Sequence, residues 1–538
     1  MPSFDTLREP WIPVIRNDGT AGELGLRDVL EQAPELREIR DPMPTVEFGL
    51  YRLLVALVMD AHELETLGDL GALLEAGHFG AEKVDAYLAR WHDRFDLFDL
   101  AHPFLQTAAM EAKEEKPLSA LLPIVPSGTS ALHFHHRQED DFALCPAAAA
   151  RLLTSMAPFM TAGGAGLSPS INGAPPWYVL VRGKTLFATL CLNCCLLPLP
   201  QLGGEAPPAW RNDQASAVGR STDASLLEAL TWRPRRLRLI PGGEGLCSVT
   251  GAPANPVVRT MWFERGASCD FTWTDPNVAY RLADKARPLR PREQHELWRD
   301  TGPLALLRSS EYEVEHGGAK IRFERPLVVT QSAELAQQGV LPGSAELRLV
   351  IYGMRTDLKM KVFEWQRESL SLPAALVWRS PFRTEAQHAM EEAELVGARL
   401  RRAAKLAYPR SGGGNKRAFE GQTGDAERRF WSELRPHYDE LLRALAGMPL
   451  EATEEVREGC RQRWRQQAAE AGGRALDDVI GDLDTDADAL VRQVTARAFF
   501  RASMAKLLAS AAEAEATSPN ATGGRAAGTN RKKGGAGR

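Results

Sequence analysis

Cysteine is scarce. Seven are spread over 538 residues, too few and too odd a number for a disulfide scaffold, which points to a reducing compartment. A strong charge of one sign is lacking as well: 65 Lys and Arg stand against 70 Asp and Glu, a net of −5. That excludes a chain-wide basic footprint, so any nucleic-acid surface must be a local patch. The opening Met1-Pro2-Ser3-Phe4-Asp5 has no basic region leading into an apolar stretch, so no secretory signal is read. Long hydrophobic runs are missing too. The greasiest early run, residues 50–59, contains Arg52 and covers about half a membrane span. A cytoplasmic protein without a membrane segment is expected.

What is present is ordinary for a globular chain, with 44% hydrophobic and 25% charged residues, which excludes collagen-like, coiled-coil and mostly disordered classes. The length predicts two to four domains at about 150 residues each. Residues 1–375 mix short apolar runs with prolines and glycines and show no regular βαβ alternation, so the pattern reads as α+β. A helix is predicted over 46–62, with Phe48, Leu50, Leu54, Leu57 and Val58 on one broad face. Residues 347–352 and 359–363 read as two strands around a turn at 353–358.

From about 384 the spacing becomes helical. Ala389, Ala393, Val396, Leu400, Ala403 and Ala407 make one stripe. Phe430, Leu434, Tyr438, Leu441 and Leu445 make a second, which Pro436 should kink or offset. Val456, Cys460, Trp464, Ala468 and Ala471 make a third, and Leu490, Val494, Ala498, Ala505 and Leu508 a fourth. The fold class expected is therefore a large mixed α/β N-terminal domain (1–375) followed by a C-terminal four-helix bundle (384–512). A Gly-rich basic link is expected at 409–425. The remainder, 513–538, reads as a disordered basic tail; residues 516–538 carry five basic and no acidic residues.

Several motifs have two readings. Gly183-Lys184-Thr185 looks like the end of a phosphate loop, but that loop needs Gly where Tyr178 stands. Residues 177–181 read as a strand and Gly183-Lys184 as a hairpin turn. Asp482, Asp484, Asp486 and Asp488 resemble a calcium loop, yet Ala487 replaces its Gly and Gln493 its final Glu; acids ahead of a helix suit its dipole instead. Cys191, Cys194 and Cys195 lie in the apolar run 186–199 and are either core or a metal pair.

His133, His135 and His136, followed by Arg137, Glu139, Asp140 and Asp141, form either a polar loop or a metal or acid–base site. On the second reading the chain is a metal-dependent nuclease or hydrolase working through the 133–136 cluster and Asp140. Gly163, Gly164, Ala165 and Gly166 form a flexible connection or a backbone that lets a ligand approach closely. Residues 233–239 suit a strand with one cationic face, solvated or turned to phosphates. No Ser/His/Asp order, HExxH or nucleophile elbow is present, so the residues alone define no active site.

Several segments in consistent order resemble the CasA family, the large subunit of the type I-E CRISPR surveillance complex Cascade. They are Phe4-Asp5-Thr6-Leu7-Arg8-Glu9-Pro10-Trp11-Ile12-Pro13-Val14, Ala101-His102-Pro103-Phe104-Leu105-Gln106-Thr107, the glycine loop, Val181-Arg182-Gly183, Gly353-Met354-Arg355, and Ala426-Glu427-Arg428-Arg429-Phe430-Trp431. The resemblance spans roughly residues 4–510. It implies a non-enzymatic subunit without a cofactor, assembled with crRNA and with backbone, handle-binding and small subunits. Such a subunit reads the PAM of double-stranded target DNA through the minor groove, helps to open the duplex and recruits a helicase-nuclease. Base pairing reads the rest of the sequence.

Residue by residue, the resemblance places Gly163, Gly164, Ala165 and Gly166 in the minor groove. It places Arg265 where the family has a groove-entering Lys. Arg355, Thr356, Asp357, Leu358 and Lys359, with Lys361, fall on the family's wedge hairpin, Leu358 standing nearest to its Gln. His133, His135, His136 and Arg137 become RNA or subunit contacts. Arg399, Arg401, Arg402 and Lys405 on the first bundle helix are either a solvated face or a contact for the small subunit and target strand. Some relatives hold zinc with two CxxC pairs. Here the matching segments, Cys145-Pro146-Ala147-Ala148 and Cys247-Ser248-Val249-Thr250, keep one Cys each, so no zinc is expected.

Overall fold

The greasy run around Arg52 lies in the interior of the N-terminal part. A computed structural model describes residues 2–516 except 109, 111–112, 123–141, 161–169, 200–201, 213–218, 222, 271–272, 317, 342–345, 357–361, 379–380, 409–415 and 484. In it Pro44–His62 is a single helix, with Pro44 at its start and Glu63 in a left-handed cap at its end. Residues 44–61 are all buried, so the helix packs on every side rather than on the one broad face its spacing predicts. Its neighbours are the helices Pro146–Thr154, Met156–Phe159, Leu186–Asn193 and Leu226–Leu230 and the strand Glu346–Thr356. Among the described residues no helix is long and apolar enough to cross a membrane.

The same unit holds several small antiparallel sheets, and those containing Leu36–Ile39 and Glu346–Thr356 pack against this helix. Ile12–Arg16 pairs on one side with Ala21–Leu24 and on the other with Leu36–Ile39. Val258–Arg265 lies between Glu115–Pro117 and Arg235–Pro241. Tyr280–Leu282 and Ala319–Glu324 are the inner strands of a four-stranded sheet completed by Ala286–Pro288 and Glu313–His316. Glu346–Thr356 is the middle strand between Val362–Pro373 and Tyr178–Arg182.

Two local expectations are corrected. The hairpin strands extend further than predicted: Gly353 pairs with Gln366, Met354 with Trp365, Arg355 with Glu364 and Thr356 with Val362. These four residues are strand, not turn. Gly353 is there for packing, since a Cβ on it would lie 2.3 Å from the Trp177 ring. Likewise Gly183-Lys184 makes no hairpin. The strand Tyr178–Arg182 leads into the helix Leu186–Asn193, whose cap Thr185 accepts the Ala188 N–H at 3.2 Å. A Cβ on Gly183 would lie 2.5 Å from that of Ala188, so the tight exit needs glycine.

The chain divides into two compact units, Met1–Gln387 with Leu442–Leu450, and His388–Leu441 with Glu451–Arg538. The C-terminal helices are Arg383–Ala407, Lys416–Ala446, Glu454–Gly481 and Ala487–Ala516. The first two stripes are buried as expected. The second helix begins at Lys416, inside the predicted link, and runs through Pro436. In the third helix Trp464, Ala468 and Ala471 are buried, but Val456 is exposed. Trp464 donates its indole N–H to the Ala389 carbonyl at 2.7 Å and lies 5.6 Å from the Tyr438 ring. The fourth stripe is inverted. Ala489, Gln493, Ala496, Phe500 and Met504 face inward, while Leu490, Val494 and Leu508 are exposed. Asp486 caps that helix through the Ala489 N–H at 2.9 Å.

Candidate nucleic-acid interface

Gly163, Gly164, Ala165 and Gly166 lie outside the described residues, but the chain on both sides of 161–169 is tied to one buried cluster. Before it, the Pro158 carbonyl accepts the Tyr178 hydroxyl at 2.9 Å. After it, the Asn172 amide donates to the Tyr178 hydroxyl at 3.0 Å and to Asp275 Oδ2 at 2.8 Å, and accepts the Trp273 indole N–H at 3.1 Å. Arg52 donates to the same Asp275 oxygen at 2.7 Å, the two side chains being 2% and 0% exposed. Its remaining N–H groups reach the Leu230 and Ala229 carbonyls. The other Asp275 oxygen accepts the Asn277 N–H at 3.0 Å. A carboxylate this deep is tolerable only with such a full shell of donors. Burial, reinforced by the Asp275 charge, pushes the Tyr178 and Tyr280 hydroxyls above the usual phenol range, so both stay protonated donors.

Tyr178 also begins the strand beside the hairpin, pairing with Tyr352. The sheet thus joins the flanks of 161–169 to the hairpin. A second buried group holds the hairpin to the central helix. Glu47, fully buried, accepts the Tyr352 hydroxyl at 2.6 Å and Arg367 Nε at 2.7 Å. Towards the tip, Arg355 bonds Glu364 at 2.8 Å, lies 3.7 Å from Glu293 and rests over the Phe363 ring. Its charge is therefore engaged within the chain, bracing the two strands. Thr356 is the last described residue before the tip. Asp357, Leu358, Lys359 and Lys361 lie outside the described residues.

Arg265 is exposed at the end of its strand, opposite Arg235. The cationic face of 233–239 is mostly occupied. Arg235 is buried, Arg236 pairs with Glu264 at 3.3 Å, and Arg238 donates to the Leu100 carbonyl at 3.3 Å. On the first bundle helix Arg401 pairs with Glu427 and Arg402 lies over the Phe499 ring, while Arg399 and Lys405 are exposed. His133, His135, His136, Arg137 and Asp140 lie outside the described residues.

Among the described residues no group of three or more His, Cys, Asp or Glu is placed to hold a metal. Cys191, Cys194 and Cys195 are buried, and burial pushes their thiols up, Cys191 and Cys195 to about 12. They pack as core. Cys145 and Cys247 face each other across two segments. Ala148 and Thr250 stand where two further ligands would be needed, so this donor set does not fit tetrahedral zinc.

The helix-centred α+β unit and the helical unit define a two-part, non-repeating fold in which no described residue cluster spells out catalysis. The same fold is found in Cse1 from Acidimicrobium ferrooxidans, with TM-score 0.71, 23% identity and coverage of 95% of this chain and 99% of that one. It recurs in a chain of a CRISPR RNA-guided surveillance complex, with TM-score 0.69, 22% identity and coverage of 93% and 100%. In sequence, CRISPR-associated protein CasA/Cse1 of Thermus thermophilus is 29% identical over 466 residues, 84% of each chain. The family model for CRISPR-associated protein Cse1 matches residues 5–474. The chain belongs to this Cse1 (CasA) family, the large subunit of type I-E Cascade.

Proposed function

We propose that this subunit reads the PAM of double-stranded target DNA through the minor groove, assists duplex opening and recruits a helicase-nuclease. It acts without catalysing a reaction, in the cytoplasm, within a complex that holds crRNA and the backbone, handle-binding and small subunits. The observation that carries the reading is the family match over residues 5–474 together with an exposed Arg265 at a strand end. Gly163 to Gly166 lack bulk where the groove floor comes close. The Arg265 guanidinium gains from the groove's negative potential. The hairpin, braced by Arg355 against Glu364, unstacks the first base pairs at a cost of a few kcal/mol. Lys359 and Lys361 hold the displaced phosphates, and His133, His135, His136 and Arg137 contact the crRNA handle or a neighbouring subunit.

The test is reconstitution with crRNA and the other subunits, followed by binding of duplexes with and without a PAM. Arg265→Ala is expected to weaken binding of the PAM duplex about tenfold and to lower the salt slope by about 1. Wild-type affinity in that variant removes Arg265 from the site. Equal affinity of the wild-type complex for both duplexes removes PAM reading altogether. Cleavage by this chain alone with divalent ions replaces the reading with a nuclease.

A further inference from the structure

The Cys145–Cys247 pair remains unused by the proposed function. The two residues are 102 positions apart in the chain. Backbone pairing brings them together. The Ala143 carbonyl accepts the Ser248 N–H at 2.7 Å, and Ser248 Oγ accepts the Ala143 N–H at 3.0 Å. Leu144 and Val258 exchange both of their backbone hydrogen bonds, at 2.9 and 2.8 Å. Cys145 directly follows this ladder and caps the helix Pro146–Thr154. Cys247 opens a turn closed by the Gly251 N–H on its carbonyl at 2.8 Å. The two thiols are side-chain partners. With two thiols and no third ligand among the described residues, the pair is built for covalent closure rather than for zinc.

We propose that Cys145 and Cys247 form an oxidisable dithiol that closes to a disulfide by exchange with a low-molecular-weight disulfide such as oxidised glutathione. Cys145 is the partly exposed member and Cys247 is 1% exposed, so the incoming disulfide meets Cys145 first. Cys145 sulfur attacks one sulfur of the reagent. The reagent's S–S bond breaks, and one glutathione leaves with the Cys145 proton. Cys247 sulfur then attacks Cys145 sulfur in the mixed disulfide, and the second glutathione leaves with the Cys247 proton. The protein dithiol is oxidised by two electrons and the reagent is reduced to two thiols. The new bond locks the start of the helix Pro146–Thr154 to the 247–251 turn.

The full chain is titrated with mixtures of oxidised and reduced glutathione, quenched by alkylation and mapped without reduction. One cross-linked peptide joining Cys145 to Cys247 is expected, with a melting temperature raised by several degrees and restored by dithiothreitol. Oxidation in urea is expected to lower the yield of that pair several-fold, because the backbone ladder is gone. Cys247→Ser is expected to accumulate the mixed disulfide on Cys145, and Cys145→Ser to leave Cys247 unmodified. Free thiols at both positions, glutathione on both without a cross-link, or an equal yield in urea overturns the proposal. The cross-link and urea arms use the unmodified chain, so a misfolding variant does not shield it.

Discussion

Among the described residues the most deeply buried ion pairs lie in the first unit, while those of the second, down to Arg465–Glu458 at 12% and 14% exposed, stay partly exposed. In the first, Arg52 and Asp275 are 2% and 0% exposed, and Glu47 is fully buried against Arg367 and Tyr352. In the second, ion pairs such as Arg429–Asp478, at 49% and 59% exposed, run over the helix surfaces. Buried charge costs desolvation and is retained only where each atom finds a partner, so it demands one arrangement of the surrounding segments. Exposed pairs decorate a helix that would pack without them. The difference teaches that the α+β unit is organised around a few irreplaceable polar contacts. The helical unit is organised around spacing of apolar residues.

The sharpest break of this comparison is Asp275→Ala. It leaves Arg52 buried without its carboxylate and is expected to cost about 3–5 kcal/mol, read as a lower urea midpoint for the first unit. A loss below about 1 kcal/mol would mean that the buried pair does not organise that unit.

A pH series tests a subtler buried group. His62 is pulled down to about 4 by burial, assisted by the charge of Lys83. Folded, its ring stays neutral; unfolded, it binds a proton below about pH 6.5. Its contribution is therefore complete above about pH 6.5 and is lost as pH falls towards 4. With solvent screening of the partly exposed ring counted, the loss is about 1–2 kcal/mol. His62→Gln is expected to flatten that part of the stability–pH curve. An unchanged slope would show that the ring titrates alike in both states.

The smallest effect is expected in the helical unit. Arg474 is 53% exposed and bonds Glu433 at 2.5 Å. Arg474→Ala is expected to change stability by less than about 1 kcal/mol, with the remaining effect declining as salt is raised. A loss comparable to that of Asp275→Ala would erase the distinction between the units.

Legibility in the sequence follows the same division. The first two stripes of the helical unit could be read because small and large apolar residues recur on one face and polar ones cover the rest. The fourth could not, because its helix is apolar on two sides. Leu490 and Val494 are larger than Ala489 and Ala496, yet the alanines, with Phe500 and Met504, face inward. Alanine permits close helix approach, and size alone does not say which face is used. In the first unit Arg52 counted in the sequence only against a membrane span, and nothing local named its partner Asp275, 223 positions away. Gly353 looked like a turn residue because glycine serves both turns and close packing. Only the Trp177 ring beside it distinguishes the two. The family was legible from the order of short motifs, while Arg265 and the hairpin are a proposed site.

Composition and apolar period by themselves determined the change from mixed to helical architecture and the first two packed helical faces, because these rest on neighbours along the chain. Only the tertiary structure decided the donors around Asp275, the inward face of the last helix and the meeting of Cys145 with Cys247. Each depends on segments far apart in sequence, and no local preference encodes which distant group will arrive.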